Sequence, residues 1–546
     1  MKAMDINGIY ITRYLFIPLG GFFTGLVVFL LGRKNLTTDA VERLQEWGGK
    51  RAGGAGGSGG TGGSGGAARR LFLCFLLVYS LYFFSTITLR YFTGHTAFFD
   101  FGIYDWRLWL IYSVPWADWP GKVASALDGH FQPVLVLYSA LYDMGVEPVA
   151  LNLLQAAAVL SGTVPIYLMA KERLKDGILT FSVTALYLLY PATQFNMAID
   201  FHPDHLIIPV LLWSYYFIEK GFYGWLVVSA LSGFVIKEPL VLATGFLGLY
   251  MAFGKRRYAQ GLALLAVSLA VFFMSAFFIS SSIETYQAHE SISGEVAYGY
   301  LFAPGGLTTL FKEVLSPEKW RFPVFLLLPL LFIPLLRPWV FIPAVPLIAV
   351  QLLSTIDHHQ NVASQYTAGI IPPVFASFVY GVEYLNKRFG YRVTVAALSW
   401  VAVLLLSYNV AHSPNPLAVG FWNSGWSHGR WHYANYFFNR SAELDRAIAL
   451  VPEEPTVKVV THSMIYDKRL SHRYFFKSFP ERWREADFIL LDNTLGPYVA
   501  DGMDERMYAE NLRELEEDGS FSRVYGDGGV LLFRRTEAIA GKNPYN

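Results

Sequence analysis

The stretch LFLCFLLVYSLYFF, residues 71–84, decides the fold class because it contains no charged residue. A second block of the same kind, FPVFLLLPLLFIPLL, occupies residues 322–336. Such blocks suit helices that cross about 30 Å of hydrocarbon. The composition agrees, since 53% of the 546 residues are hydrophobic and only 16% are charged, whereas soluble chains have about 25% charged residues. The sequence therefore predicts an α-helical membrane protein with many spans.

The remaining composition excludes several classes of protein. The formal net charge is +1 at pH 7, so no bulk electrostatic attraction to nucleic acid is expected. The chain has one cysteine, Cys74, which lies inside an apolar block. A single cysteine excludes an intrachain disulfide framework and a cysteine-rich metal site.

The distribution of basic residues predicts the topology of about 11–12 transmembrane helices. If Arg33 and Arg69 are cytoplasmic, alternation places the basic loops 171–175, 254–257 and 386–392 on the same side, as the positive-inside rule requires. Both chain ends then lie on the extracytoplasmic side. The candidate spans cover roughly residues 9–32, 71–89, 147–171, 177–199, 205–219, 222–236, 238–254, 259–281, 322–336, 338–354, 366–385 and 393–411.

Four regions follow from these spans. Residues 1–34 form an N-terminal transmembrane helix, and residues 35–70 form a cytoplasmic linker whose Gly-rich centre is typical of a flexible segment, natural or engineered. Residues 71–411 form the main transmembrane domain. Residues 412–546 read as an extracytoplasmic α/β domain, because TVKVVTH (456–462), ADFILLDN (486–493) and VLLFRR (530–535) are typical of buried parallel strands and ERMYAENLRELEE (505–517) has helical spacing.

The long outer loop at residues 90–146 is expected to contain interfacial helices. Two apolar stretches within residues 104–145 are each shorter than the 18 residues or so that a span needs, and both carry Trp or Tyr. We therefore predict two helices that lie along the membrane plane.

The same loop begins with two acids, Asp100 and Asp105, among aromatic residues. Structural explanations are available, because Asp100 would cap a helix that starts at Gly102 and Asp105 would pair with Arg107. The functional explanation is that one acid is a general base, with a pKa raised by partial burial, while the other orients the substrate or binds a metal.

Further polar residues occur at span boundaries on the same predicted side. DFHPDH (200–205) offers Asp200 and His202 as ligands of a divalent metal, although its spacing matches no closed zinc motif, and hydrogen bonding at a helix start is the alternative. Lys237 suits a phosphate, with Glu238 holding it, unless the two form a structural ion pair. Candidate groups for binding substrate or phosphate are Arg107, His130, Lys237, Glu238 and His358.

Several blocks resemble the domain of unknown function 2079 family of multi-pass membrane proteins. They include FDFGIYD, GHFQPVLVLYSALYD, YPATQFNMAIDFHPDHLIIPVLLW, IKEPL and THSMIYDKRLSHR, and the resemblance covers about residues 71–535. That family is itself similar to the type C glycosyltransferases, which use a polyprenyl-phosphate sugar and keep an essential acid in the first long outer loop. The resemblance implies a type C fold and places Asp100 or Asp105 in that role.

The sequence thus predicts a membrane glycosyltransferase that moves a sugar from a polyprenyl-phosphate donor to an acceptor at the outer face. A cation would neutralise the leaving phosphate, either Lys237, Arg107 or a metal at Asp200 and His202. One alternative is a transporter or lipid flippase, which would carry polar residues through the bilayer midplane on several helices. Another is a non-catalytic partner with an outer binding domain.

Overall fold

The structure is a computed structural model. It describes residues 5–6, 9–10, 64–113, 130–286, 298–302, 304–423, 431–437, 440–454, 456–462, 464–472, 476–493 and 505–536. Most of the predicted N-terminal span and most of the Gly-rich linker lie outside the described residues. The described residues before the linker, Asp5–Ile6 and Ile9–Tyr10, pair as two short antiparallel strands. The first long helix begins at Ser64, inside the segment assigned to the linker.

Every predicted span from residue 71 onward contains helix. Two helices also form in the first long loop, over Ile103–Ser113 and Val134–Asp143. The helices up to residue 411 are α1 Ser64–Phe92, α2 Ile103–Ser113, α3 Val134–Asp143, α4 Val149–Ser161, α5 Thr163–Leu174, α6 Gly177–Leu189, α7 Pro191–Ala198, α8 Ile207–Lys220, α9 Tyr223–Phe234, α10 Glu238–Leu249, α11 Tyr258–Tyr286, α12 Gly306–Leu315, α13 Pro317–Leu327, α14 Pro338–Phe341, α15 Val345–Leu353, α16 Ile371–Phe389 and α17 Tyr391–Ala411.

Several of these helices are long and apolar enough to cross a membrane. Within the described residues, four stretches qualify: Arg69–Phe92, Val149–Leu174, Tyr258–Phe277 and Tyr391–Ala411. The pair α6 and α7 qualifies as a fifth if it is one span bent by 51°, a bend explained by Pro191 at the start of α7. Other predicted spans form shorter apolar helices, so the number of crossings stays a prediction, as does the in-plane orientation of α2 and α3.

Local sequence signals explain where the helices begin and end. Asp176 accepts a 2.8 Å hydrogen bond from the Leu179 N–H and so caps the start of α6. Gly221 ends α8 in the left-handed conformation that glycine adopts without strain. Close helix packing also depends on glycine, because a Cβ added at Gly248 of α10 would lie 2.2 Å from the Gly261 carbonyl oxygen of α11. Small residues allow this approach between membrane helices.

The C-terminal region is an α/β domain, as the sequence predicted. Its five strands are β1 Val459–Thr461, β2 Phe476–Ser478, β3 Phe488–Asp492, β4 Phe521–Asp527 and β5 Val530–Arg535, in the order β2-β1-β3-β5-β4. Strand β1 is parallel to β2 and β3. Strand β5, which we expected to be parallel, is antiparallel to both β3 and β4. Gly528 and Gly529 have positive φ and close the β4–β5 hairpin, which makes the antiparallel direction necessary.

Both faces of this sheet are covered, which explains its continuous apolar runs. Leu490 packs on one face with Leu444 and Ile448 of the helix Ser441–Ile448. Ile489 and Leu491 pack on the other face with the helix Glu505–Glu517, which matches the predicted helix. The domain also contacts the membrane part, because the Arg440 N–H donates to the Thr93 carbonyl just beyond α1 at 3.1 Å.

Candidate active site

The candidate site forms where five segments meet at helix ends. These are the start of the first loop, residues 130–131, residues 199–206 between α7 and α8, the residue Lys237 before α10, and residues 358–366 before α16. The Gln155 side chain of α4 positions the third segment, because it donates to the Ile199 carbonyl at 3.0 Å and accepts from the His202 N–H at 2.8 Å. The Val134 N–H donates to the Val235 carbonyl at 2.9 Å, which joins the loop to the turn before Lys237.

Lys237 and Asp204 form the buried charged pair at the centre of the site. The Lys237 Nζ lies 3.1 Å from Asp204 Oδ1, and both side chains are about 5% exposed or less. Burial opposes the charge on each group, but each partner outweighs it. The pKa of Lys237 is therefore raised and the pKa of Asp204 is lowered, so both are ionised at neutral pH. Within the described part of the chain, the second oxygen of Asp204 has no hydrogen-bond partner.

Asp100 joins this pair through His202. The His202 Nε2 lies 3.4 Å from Asp100 Oδ1. Burial lowers the pKa of His202, but the Asp100 carboxylate and then Asp204 raise it, so that the net pKa lies above its usual 6.5. Tyr104 lies beside His202 with ring centroids 5.3 Å apart, and the Arg107 guanidinium lies 5.6 Å from the Tyr104 ring. Tyr104 therefore contacts both Arg107 and His202, the partner of Asp100.

Glu238 connects the first loop to the start of α10. Its Oε1 lies 2.8 Å from the His130 Nδ1, and its Oε2 accepts a 2.9 Å hydrogen bond from the Phe131 N–H. A carboxylate in the first turn of a helix is also favoured by the helix dipole. Glu238 thus holds His130 beside the Lys237–Asp204 pair, rather than holding Lys237 itself.

A histidine pair and a tyrosine complete the site. His358 is exposed, whereas the neighbouring His359 is buried at 5% exposure. The His359 ring lies 4.2 Å from the Tyr366 ring, and Lys237 Nζ lies 5.7 Å from that same ring. Burial and then the neighbouring His358 and Lys237 lower the pKa of His359 to about 3, so its ring is neutral at physiological pH.

Several buried polar atoms at this site have no hydrogen-bond partner among the residues that the structure describes. They are Asp204 Oδ2, His205 Nε2, Gln132 Oε1 and both ring nitrogens of His359. Most buried polar atoms in proteins are hydrogen-bonded, so each exception requires an explanation. A polar ligand that binds between Asp204 and His359 would satisfy several of them at once.

Asp200 and His202 do not present a pair of metal ligands. The Asp200 carboxylate is bonded to Arg90, which also donates to the Ala198 carbonyl at 2.7 Å. The His202 Nδ1 lies 3.0 Å from the Asp200 carbonyl oxygen, and its Nε2 faces Asp100. Among the described residues, no group of three or more His, Cys, Asp or Glu could hold an ion. A metal at these residues stays a prediction.

Asp105 lies apart from this cluster, against the C-terminal domain. It is fully buried and accepts hydrogen bonds from the hydroxyls of Tyr142, Tyr466 and Ser471. The structure therefore brings together Asp100, Arg107, His130, His202, Lys237, Glu238 and His358, and it places Asp105 and Asp200 in separate contacts.

A sequence model described as "Predicted membrane protein (DUF2079)" matches residues 90–531. This chain belongs to the DUF2079 family. The match covers the first long loop, every element of the candidate site and most of the C-terminal domain, so this DUF2079 chain is a membrane protein whose site lies in the family's shared region. No curated protein sequence matches the chain.

Solved structures with a similar arrangement include ArnT from Cupriavidus metallidurans. The structure of ArnT in the apo state has 14% identity and a TM-score of 0.47, over 87% of this DUF2079 chain and 99% of that chain. The structure of ArnT bound to undecaprenyl phosphate has 13% identity and a TM-score of 0.47, over 86% and 99%.

Sequence reasoning did not select Asp204, His359 or Tyr366. Asp204 belongs to the motif DFHPDH and His359 follows the candidate His358, and a search for buried polar residues beside Lys237 would have selected both. Tyr366 gave no signal, because aromatic residues are common throughout the chain. Tyr104 was expected only as one of the aromatic residues around the two first-loop acids. Arg90, which pairs with Asp200, is a charge at the end of a predicted span and should have required a partner.

Proposed function

We propose that this protein is a membrane glycosyltransferase that moves a sugar from a polyprenyl-phosphate donor to a hydroxyl acceptor. The observation that carries the proposal is the convergence of a first-loop carboxylate, Asp100, with a buried ammonium, Lys237, through His202 and Asp204. Glycosyl transfer from a phosphate needs a base on one side of the sugar and positive charge on the other. The sequence blocks resemble the DUF2079 family, which is itself similar to the type C glycosyltransferases, and this similarity favours the same chemistry.

Asp100 is the general base of this proposal. Its side chain is 24% exposed, against 11% for Glu238 and 4% for Asp204, so among the described acids of the cluster it is the most accessible to an acceptor. The acceptor hydroxyl gives its proton to Asp100, its oxygen bonds to the anomeric carbon, and the bond from that carbon to the phosphate oxygen breaks. The anomeric configuration is inverted. His202, with its raised pKa, orients the carboxylate.

Lys237 stabilises the leaving phosphate. Its charge is retained in a buried position by Asp204, and electrostatic stabilisation of a developing anion is strongest where water is excluded. The neutral His359 can donate one N–H to the same phosphate. Arg107, which packs on Tyr104, supplies a second cation.

We place this site on the extracytoplasmic side of the cell membrane, because the basic loops predict that side. The donor keeps its lipid in the bilayer and presents its sugar at the surface, at the depth of these helix ends. The C-terminal domain then lies on the same side, since it contacts the first loop. A transporter would require a path for its substrate between both ends of the helices, and the buried charges cluster at the ends instead.

A transfer assay on the purified protein tests the proposal. The assay uses a set of radiolabelled polyprenyl-phosphate sugars and scores release of free polyprenyl phosphate. We expect Asp100→Asn to lower the transfer rate by about 10²–10⁴, as loss of a general base does, with little change in unfolding temperature because Asp100 is partly exposed.

The matched control is Asp143→Asn, which neutralises an exposed acid at the end of α3 in the same loop. It should retain the full rate. Equal rates for the wild type and Asp100→Asn, with a donor that the protein demonstrably binds, would exclude Asp100 as the base. Donor binding without turnover in any condition would favour the transporter or partner alternatives.

A further inference from the structure

The segment Tyr466–His472 of the C-terminal domain, part of the block THSMIYDKRLSHR, has no role in the chemistry proposed above. It lies directly against the first loop of the membrane part. Tyr466 is the C-terminal-domain residue of a buried cluster otherwise built from the first loop and its surroundings, including Phe101, Tyr104 and Leu108. This contact is therefore part of the packed core of the loop.

Asp105 is the polar centre of the contact. Two of its hydroxyl donors come from the C-terminal domain, Tyr466 at 2.9 Å and Ser471 at 2.5 Å. The third donor, Tyr142, comes from α3 in the loop itself. The His472 Nε2 also lies 3.1 Å from Asp105 Oδ2. A fully buried carboxylate is costly unless such donors surround it, so separating the domain would leave Asp105 without most of its partners.

Aromatic packing transmits this contact to the candidate base. The Tyr466 ring meets the Phe101 ring edge-on, with centroids 4.7 Å apart, and it also contacts Tyr91 at the end of α1 at 5.9 Å. Phe101 is the chain neighbour of Asp100, within the short π-helix Phe98–Gly102 that leads into α2. The position of Tyr466 thus fixes the backbone beside Asp100.

We propose that Asp105 is a positioning residue that latches the C-terminal domain to the first loop and so holds Asp100 at the site. We call the contact made by Asp105, Tyr466, Ser471 and His472 the latch. The His472 ring also stacks on Trp109, with an interplanar angle of 7°. The docking itself stands on these contacts alone. The effect on Asp100 rests on the proposed function.

Hydrogen exchange of the full-length protein in detergent tests the docking. Asp105→Asn and Tyr466→Phe should increase the exchange rate of both segments 98–113 and 464–472, on the order of tenfold for loss of a hydrogen bond to a charged group. The matched control is Tyr142→Phe, which removes a hydroxyl from the same carboxylate but from within the loop. It should leave exchange of 464–472 unchanged. If Tyr466→Phe affects 464–472 no more than Tyr142→Phe does, the latch is wrong.

A covalent rescue distinguishes positioning from chemistry. Glu147 and Lys468 form an exposed ion pair across the same contact at 2.7 Å. In a Cys74→Ala background, Glu147→Cys and Lys468→Cys can be joined with a flexible bis-maleimide. Joining them should restore slow exchange to Asp105→Asn. It should also restore most of the transfer rate if Asp105 only positions Asp100.

The outcomes separate the two proposals. If cross-linking restores slow exchange to Asp105→Asn but the transfer rate stays low, the positioning role is wrong. Asp105 would then take part directly in the transfer reaction. A protein that shows no transfer in any form would fail the proposed function, while the exchange rates of the three hydroxyl and carboxylate variants would still decide whether the latch exists.

Discussion

Polar clusters lie near both ends of the helices α8, α10 and α16. The two clusters differ in how their charged and polar groups are paired. At the C-terminal ends, Arg173 of α5 donates to Glu383 at 2.7 Å, bonds to Glu219, and lies 3.5 Å from the Tyr380 ring. Three lysines pair with the same acids or their neighbour: Lys255 with Glu219 at 2.5 Å, Lys387 with Glu383 at 2.6 Å and Lys220 with Glu172 at 2.6 Å. A cavity of about 520 Å³ opens among them.

The N-terminal ends of these helices face the candidate site. There Lys237 and Asp204 pair, but Asp204 Oδ2, His205 Nε2 and both nitrogens of His359 have no hydrogen-bond partner within the described ranges. The helices have 12 to 19 residues, so the two clusters lie roughly 18–28 Å apart along the axes at about 1.5 Å per residue.

This difference indicates which cluster serves the fold and which serves a ligand. The acids of the C-terminal cluster are saturated by cations from several helices, and cations at helix C-termini are favoured by the helix dipole. That arrangement stabilises the bundle by itself. Among the residues that the structure describes, the N-terminal cluster retains buried polar atoms without a hydrogen-bond partner, and a polar ligand would satisfy them. Topology, stability, ligand binding and pH dependence can each test whether the two clusters differ in this way.

The first prediction assigns the two ends to opposite sides of the membrane. In a Cys74→Ala background, Lys387→Cys marks the C-terminal cluster and Lys468→Cys marks the contact beside the candidate site, and both lysine side chains are largely solvent-accessible at 69% and 45%. We expect a membrane-impermeant maleimide to label Lys468→Cys in intact cells and Lys387→Cys only after permeabilisation. Labelling of both from outside would contradict the predicted topology.

The second prediction concerns stability. Arg173→Met leaves Glu219 and Glu383 without their shared partner, and loss of one member of a buried pair costs about 3–5 kcal/mol. Because the Arg173 side chain is 21% exposed, we expect about 3 kcal/mol, measured as the free energy of unfolding in mixed micelles. The control Arg388→Met removes an exposed arginine from the same helix end and should change stability by about 0.5 kcal/mol or less. Transfer per folded molecule should stay unchanged in both variants.

Sequence patterns predicted the class of the fold and most of the segments that build the site. Charge-free blocks located the helices, and the helix at residues 505–517 was predicted with its observed bounds. The motif DFHPDH contains Asp204, although sequence reasoning did not select it. The block IKEPL contains Lys237, which was selected. What the pattern could not supply was the choice of partner across the fold. Asp100 and Asp105 look alike in sequence, yet one meets His202 and the other meets Tyr466, which lies far along the chain.

The direction of β5 and the role of Asp200 show the same limit. An apolar run indicates that a strand is buried. The Gly528–Gly529 turn determines that β5 runs antiparallel to β4. Asp200 stands two residues before His202, which made a shared metal plausible. Its actual partner is Arg90 on α1, and contacts between segments so distant in sequence depend on tertiary packing.

The third prediction separates ligand binding from structure at the N-terminal cluster. Lys237→Met should weaken binding of polyprenyl phosphate by about tenfold to a hundredfold, since a hydrogen bond to a charged group contributes about 1.5–3 kcal/mol. It should also destabilise the protein, because Asp204 loses its partner. The double variant Lys237→Met/Asp204→Asn should recover much of that stability without recovering binding. Binding is measured as the rise in unfolding temperature with added polyprenyl phosphate. Recovery of both would make the pair structural, like the C-terminal cluster.

The last prediction uses pH to test the unpartnered histidine. Burial and the neighbouring cations lower the pKa of His359 to about 3 in the folded protein, whereas it is about 6.5 in an unfolded chain. Above pH 6.5 the ring is neutral in both states and stability does not depend on it. Between pH 6.5 and pH 3 only the unfolded chain binds the proton, so stability falls as the pH falls, by at most about 1.4 kcal/mol per pH unit. Other groups whose pKa differs between the folded and unfolded states add their own pH dependence. His359→Gln should therefore reduce, but not abolish, the drop in unfolding temperature between pH 7.5 and pH 5. The control His358→Gln, which changes the exposed neighbour, should leave most of the drop in place.

An equal drop in the wild type and His359→Gln would mean that His359 titrates normally when folded. The ring would then be accessible to water and satisfied by it, and the strongest sign of a ligand at this end of the helices would be lost.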